Sequence, residues 1–333
     1  MPRQARLDYA GALQHVIARG VARTRIFDDK KDRETFLGWF GGLLKESGAQ
    51  CLAWALLPNH FHLLLRTTVW PLKVLMQRLL TRYSVYYNHR HGRSGHLFQN
   101  RYKSIVCEEE AYLLELVRYI HLNPLRAGEV ESYAELGRYP WCGHGAVIGV
   151  RKVKWQEIGD VLGEFGSNRN EALESYGEFV REGIRKGRRP ELVGGGLIRS
   201  LGGIGEAVKI AAKREKVQSD ERILGSGEYV AEVIREVEHR DRRKEGMRKR
   251  LDPREVIRRA CKVMGAEEGQ LYGHRKVKEV SKARSLACKW LVEDLGMRIS
   301  DVARMLKVTH PAVVYGARKG MEVEATTRAK ISI

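Results

Sequence analysis

Over residues 1–130 the apolar positions switch repeatedly between a period of two and a period of 3.6, as strands and helices in alternation do. ALQHVIARGV at 12–21 alternates like a strand, and a helical stretch follows from about Lys31 to Lys45. Two short apolar runs, Cys51–Leu57 and Phe61–Arg66, flank the turn signal Pro58-Asn59. Pro71–His89 is helical in period and rich in Arg and Tyr. Tyr102–Cys107 reads as a further strand, and Glu108–Leu122 as a helix ended by Asn123-Pro124. Strand–helix–strand–strand–helix–strand is the ferredoxin-like order, so the pattern predicts an α+β fold built on an antiparallel sheet.

After Arg138 the periodicity weakens. Helical patches at Asn170–Lys186 and Glu228–His239 are separated by GGGLIRSLGGIG (194–205), which lacks the G-K-[ST] of a phosphate loop and reads as a tight loop. REVEHRDRRKEGMRKR (235–250) is charged throughout and reads as a solvated helix or basic linker open to phosphate contacts. From Asp252 the helical period returns for three or four helices. The expected organisation is therefore a catalytic-type α+β domain at 1–130, a mainly helical connecting region at 131–250, and a helical domain at 251–333.

Composition narrows the partners. A chain of 333 residues with 43% hydrophobic positions has material for two or three buried cores. Its net charge of +19 makes nucleic acid the leading polyanionic partner, although composition alone leaves ribosomal, membrane-surface and DNA readings open. The basic N-terminus is not followed by a signal-like apolar run, and no stretch approaches the roughly 20 apolar residues of a membrane span. Five scattered cysteines, none in C-x-x-C spacing, fit the core of a reduced, cytoplasmic protein with no membrane partner.

The candidate chemistry begins at His60-Phe61-His62. Residues two apart on a strand share a face, so both imidazoles point one way and can grip one metal ion, while Phe61 enters the opposite side. An isolated H-x-H triplet is usually ordinary and needs a third ligand. In LLELVRYIHLNP (113–124), Leu113, Leu116, Val117 and Ile120 form a core-facing stripe, and Tyr112, Tyr119 and Asn123 an adjoining one. Tyr119 and Asn123 are one turn apart, which offers a phenol and an amide oxygen together; alternatively Tyr119 half-buries its ring and Asn123 ends the helix. A phenol, with a pKa of about 10, attacks a phosphate poorly at neutral pH unless a cation polarises the target. Two imidazoles and one amide oxygen suit Mn²⁺ and would serve Mg²⁺.

The motifs LLPNHFHLLL (56–65), GHLFQNRYKS (95–104) and VRYIHLNPLRAG (117–128), with HVIARGVARTRIF at 15–27, resemble the REP-associated tyrosine transposases of the single-tyrosine HUH family. The resemblance covers residues 1–150 and implies a ferredoxin-like domain acting on single-stranded DNA at hairpin-forming repeats. It further implies Tyr119 as nucleophile, a 5′-phosphotyrosine intermediate, and a divalent ion on His60, His62 and Asn123. As a cluster Arg78, Arg82, Tyr83, Tyr86, Arg90, Arg93, Arg101 and Lys103 are expected to contact phosphates and bases, although each taken singly reads better as a solvated surface charge or a core tyrosine.

ISDVARMLKVTHPAVVYGARKG (299–320) has a helix-turn-helix pattern, with Ser300 as first cap, Lys307-Val308 as turn and Thr309 as second cap. Residues 252–320 resemble the DNA-binding domain of the replication initiator DnaA, which implies duplex binding through Thr309, His310, Arg318 and Lys319. Thr309-His310-Pro311-Ala312-Val313 departs from that family's Asp-His-Ser/Thr-Thr-Val, so origin-type boxes are not the expected target. Two alternatives stay open: a repurposed binding protein, and a metal-dependent phosphodiesterase in which water attacks. Tyr112 is the alternative nucleophile, and a homodimer with shared sites is compatible with the sequence.

Overall fold

All six N-terminal elements form in the computed structural model, which describes residues 7–68, 70–187, 189, 192, 220–272, 277–329 and 331. They are β1 (Leu13–Arg19), α1 (Lys30–Ser47), β2 (Gln50–Leu57), β3 (His60–Arg66), α2 (Leu72–Arg90) and β4 (Lys103–Cys107). Asp29 caps α1 by accepting from the Asp32 backbone N–H, and Gly48 ends it in the left-handed region at φ 69°. The glycine-rich stretch at 194–205 lies outside the described residues. By its contacts the chain divides into two compact units, residues 1–234 and 235–333.

In the first unit the sheet order is β2-β3-β1-β4, antiparallel throughout, with the two-residue strand β5 (Ile223–Leu224) added parallel to β4. Both faces are covered, which explains why FHLLLR is apolar almost without interruption. Phe61 packs on one face at 5.0 Å from Phe36 of α1, which in turn meets Tyr83 of α2 edge-on at 5.1 Å. On the other face lies α3 (Glu109–His121), whose Leu113, Leu116, Val117 and Ile120 share one buried cluster with Leu13, Leu64 and Ile105 of the sheet. Each such side chain contributes roughly 1.5–3 kcal/mol by leaving water.

Beyond α3 come α4 (Asn123–Arg126), α5 (Tyr133–Arg138), α6 (His144–Val147), α7 (Gly159–Gly163), α8 (Arg169–Arg185) and, after β5, α9 (Gly227–Arg250). Val130, Cys142, Tyr176 and Val180 join the same cluster, so the stretch following residue 130 shares the core of the sheet domain. It also covers both sheet edges. Leu56 N–H donates to the Trp141 carbonyl at 2.8 Å and Glu157 N–H to that of Cys51 at 2.8 Å, beside β2. At the opposite edge Val106 N–H donates to Arg222 and Glu108 N–H to Leu224, each at 2.8 Å. Edge strands left bare invite pairing with other chains, and here neither is bare.

The second unit holds α10 (Pro253–Met264), α11 (Glu268–Leu271), α12 (Lys278–Lys289), α13 (Ile299–Leu306) and α14 (His310–Thr327) around Trp290, Leu286 and Val313. α14 lies hard against α12: a Cβ at Gly320 would come within 2.1 Å of the Ser285 carbonyl oxygen. Trp290 Nε1–H donates to Glu324 at 2.7 Å, and Lys289 pairs with the same carboxylate at 2.6 Å. Lys307 makes the turn between α13 and α14 at φ 53°, and Thr309 caps α14 by accepting from Ala312 N–H at 3.3 Å. Ser300 is not the cap of α13; Arg298 holds that position without a side-chain bond, and Ser300 sits in the first turn. The five cysteines are free thiols in buried positions, and no helix among the described residues is long and apolar enough to cross a membrane.

Candidate active site

Strand register decides which side chains meet. Ile17 of β1 faces His62 of β3 on one side and Lys103 of β4 on the other, while Arg19 faces His60. Directly paired residues point to the same face, so Arg19, His60, His62 and Lys103 all project toward the side covered by α3. His60, His62, Tyr119 and Asn123 together line a cavity of about 370 Å³ there, with Arg19, Gln99, Asn100, Arg101 and Lys103 completing its walls.

The two imidazoles lie edge-to-face with centroids 5.1 Å apart, and the Tyr119 ring stands 5.8 Å from His62. Each histidine has its Nδ1 engaged: His60 with Asn59 Oδ1 at 2.6 Å, His62 with Nε2 of buried His15 at 2.9 Å. An Nδ1–H that donates leaves the Nε2 lone pair for a metal, the arrangement by which outer-shell partners fix a ligating imidazole. Burial, reinforced by the Arg19 charge, pulls the His60 pKa down to about 4. Burial also holds His62 well below the ordinary imidazole value, with His15, His60 and Arg19 adding to the effect. Both rings are therefore neutral at pH 7, as ligands must be. Asn123 donates Nδ2–H to the Tyr119 carbonyl at 3.0 Å, which leaves Oδ1 as the amide atom to offer. Two imidazole nitrogens and one amide oxygen fit a divalent ion, and Arg19, Arg101 and Lys103 fit the phosphate it would accompany.

Tyr119 is held by what grips α3 from outside. The Arg118 guanidinium stacks 4.0 Å over Phe179 of α8 and donates to the Phe179 carbonyl at 3.3 Å. Gly183 of α8 is so close that a Cβ there would reach within 2.4 Å of Arg118 Cδ. His121 and His144 both bond the Tyr176 hydroxyl, at 2.7 and 2.9 Å. Arg126 completes the surroundings, its Cζ 5.5 Å from the centre of the Tyr119 ring and its Nη2 donating to Gly183 O at 3.2 Å. Tyr112, two turns or roughly 10 Å earlier on the helix, does not line the cavity.

The remaining expected contacts are dispersed. Arg101 and Lys103 reach the cavity; Arg78, Arg82 and Arg93 do not. Arg78 pairs with Glu46 at 2.8 Å and stacks on Trp70, Arg82 lies 4.1 Å over Trp39, and Arg93 lies 5.7 Å over Tyr87. Tyr83 is a core residue: its ring is wholly buried and its hydroxyl donates to Ile26 O. Tyr86 donates to Asp32, and Arg90 pairs with Asp29 and Asp32 at 2.5 Å. Asp28, Asp32 and His91 form a second cluster of metal-ligand type, but Arg90 already balances its charge and it lies away from the cavity. In the second unit Thr309, His310 and Lys319 are exposed and Arg318 half-buried. Sequence reasoning missed His15, Arg19, Gln99, Asn100 and Arg126; only HVIARGVARTRIF, GHLFQNRYKS and VRYIHLNPLRAG, which contain them, pointed there.

Residues 9–123 match the family described as "Transposase IS200 like", a segment that contains every group lining the cavity and ends at Asn123. That match makes the N-terminal segment similar to the transposases, enzymes that move and rejoin DNA. The chain is also similar to a solved structure of a REP-associated tyrosine transposase bound to a REP hairpin, at 15% identity, 47% of this chain, 98% of that chain and a TM-score of 0.36. No curated protein matches.

Proposed function

We propose that the protein is a metal-dependent enzyme that nicks and rejoins single-stranded DNA through a covalent bond to Tyr119. The observation that carries this reading is the convergence of His60, His62, Asn123 and Tyr119 on one cavity within one chain. The Tyr119 hydroxyl attacks the phosphorus, the bond to the upstream 3′ oxygen breaks, that oxygen takes a proton, and the 5′ phosphate stays esterified to the tyrosine. A divalent ion on the two imidazoles and the amide oxygen would supply Lewis-acid polarisation of the phosphate. Arg19, Arg101 and Lys103 hold the phosphate, and the nearby Arg126 favours negative charge on the phenol. A later strand's 3′ hydroxyl reverses the step, so no nucleotide cofactor is consumed.

Hairpin-forming repeat DNA is the substrate that the resemblance to REP-associated transposases suggests. In the second unit, α13 and α14 act as a helix-turn-helix that holds neighbouring duplex through Thr309, His310, Arg318 and Lys319. The test incubates the protein with Mg²⁺ or Mn²⁺ and end-labelled hairpin oligonucleotides from repeats flanking its own gene, followed by denaturing gels. A metal-dependent adduct on the 5′ end created by the nick, lost in Tyr119→Phe but kept in Tyr112→Phe, is expected. Cleavage without adduct would instead establish hydrolysis by water, and binding alone would establish a non-catalytic DNA-binding protein.

A further inference from the structure

Beside the catalytic cavity lies a larger one of about 850 Å³. One wall is the outer face of α2, where Gln77, Thr81, Ser84, Val85 and Asn88 recur at the three- and four-residue spacing of a single helical stripe. The other wall is the segment from Gly95 to Tyr102, with Phe98 half-buried in it. Gln99, Asn100 and Arg101 line both cavities, so the two are neighbours across that segment.

Its chemistry is selective. None of the described lining residues is acidic, although the chain carries 41 Asp and Glu. The cations are Lys73 and Arg101. Val85 is 66% exposed, a large apolar side chain standing in water among amides and hydroxyls. Apolar and aromatic surface receives the flat face of a base, side-chain amides reach base edges, and cations meet the phosphates. From Lys73 to Asn88 the helical wall rises roughly 22 Å, enough for several nucleotides rather than one.

We propose that this groove binds the single strand flanking the scissile phosphate, as unstacked nucleotides running from α2 into the catalytic cavity. The inference rests on reading that cavity as a DNA-joining site. It gives α2 and the 95–102 segment the task of setting where along a strand the nick falls.

The test uses the full chain and a fluorescein-labelled, dT-rich single strand about twelve nucleotides long, read by anisotropy. Val85→Glu puts a negative charge in the groove at an exposed position, and Ile184→Glu, on α8 and 39% exposed in the parent, puts the same charge outside it. Val85→Glu should weaken binding roughly tenfold and Ile184→Glu should not. In parallel, 5-iododeoxyuridine placed at successive flank positions of a hairpin substrate should cross-link to peptides covering 77–88 or 95–102. Equal affinity of the two variants, or cross-links confined to other segments, would overturn the groove. Adduct formation by the unaltered protein is scored alongside. Adduct with an unresponsive Val85→Glu sinks the groove and spares the chemistry; weakened binding with no adduct does the reverse.

Discussion

Replacing His15 with phenylalanine keeps a ring of similar size in a fully buried position and removes its bond to His62 Nδ1 at 2.9 Å. If that bond fixes the tautomer and orientation of His62, the loss appears in metal affinity before it appears anywhere else. Outer-shell substitutions of this kind cost about 10–100-fold in affinity, or about 1.4–2.8 kcal/mol. At a Mn²⁺ concentration near 100 times the parent's dissociation constant, binding stabilises the parent by about 2.7 kcal/mol. The variant at the same concentration retains about 0.4–1.4 kcal/mol, a shortfall of about 1.3–2.3 kcal/mol. For a unit spanning residues 1–234, a kilocalorie shifts the melting temperature by about 2–4 °C, so the Mn²⁺-induced rise should shrink by roughly 3–9 °C. The assay is thermal unfolding with and without Mn²⁺, and only the increment is compared, because His15→Phe also changes the metal-free baseline. His60→Ala serves as the reference for a lost ligand. An increment equal to the parent's would refute the orienting role, and one as small as that of His60→Ala would make His15 a ligand itself.

Two further outcomes follow from the packing and the buried imidazoles. Burial lowers His144 to about 4 and holds His121 well below 6.5, so an unfolded chain takes up protons near pH 6.5 that the folded chain refuses, His144 until about pH 4. Their contribution is therefore complete above pH 6.5 and declines as pH falls below it, by up to about 1.4 kcal/mol per pH unit for His144 down to about pH 4 and in the same direction for His121. Urea midpoints of the metal-free protein should drop across that window, and more gently in His144→Gln; a flat profile would show these rings are not neutral in the fold. In the second unit Gly320→Ala must part α14 from α12, at a cost of about 1–3 kcal/mol read by urea unfolding. An unchanged midpoint would mean the two helices do not meet as closely as the Ser285 carbonyl requires.

The elements of the sheet domain were legible because each carries its own period, and the boundaries agree within about two residues. The shared face of His60 and His62 followed from alternation alone. Their neighbours did not. Alternation says which residues of a strand share a side, but the partnering of Ile17 with His62 and with Lys103 is a property of register, set by contacts far apart in sequence. His15 and Arg19 were therefore invisible as site residues. Tyr83 is the core tyrosine that its position favours: Leu72, Met76, Leu79, Tyr83 and Tyr87 are spaced as one buried stripe. The stretch after residue 130 gave no warning that it would share the core, because its segments at 141–157 and 220–224 acquire their partners from edges formed by strands elsewhere.

The grip of α8 on α3 bears on how rejoining can happen. A nucleophile carried on a loosely tethered helix could ferry its cargo to a second location and deliver it there. Here the mount is bolted down: Arg118 lies sandwiched against Phe179 and Gly183, and the imidazoles of His121, on α3 itself, and His144 converge on the Tyr176 hydroxyl of α8. Under the proposed chemistry the captured end then stays where it was cut, and the choreography of exchange falls to the DNA. The incoming strand must travel, and the protein acts as a fixed anvil on which one end is pinned until another arrives.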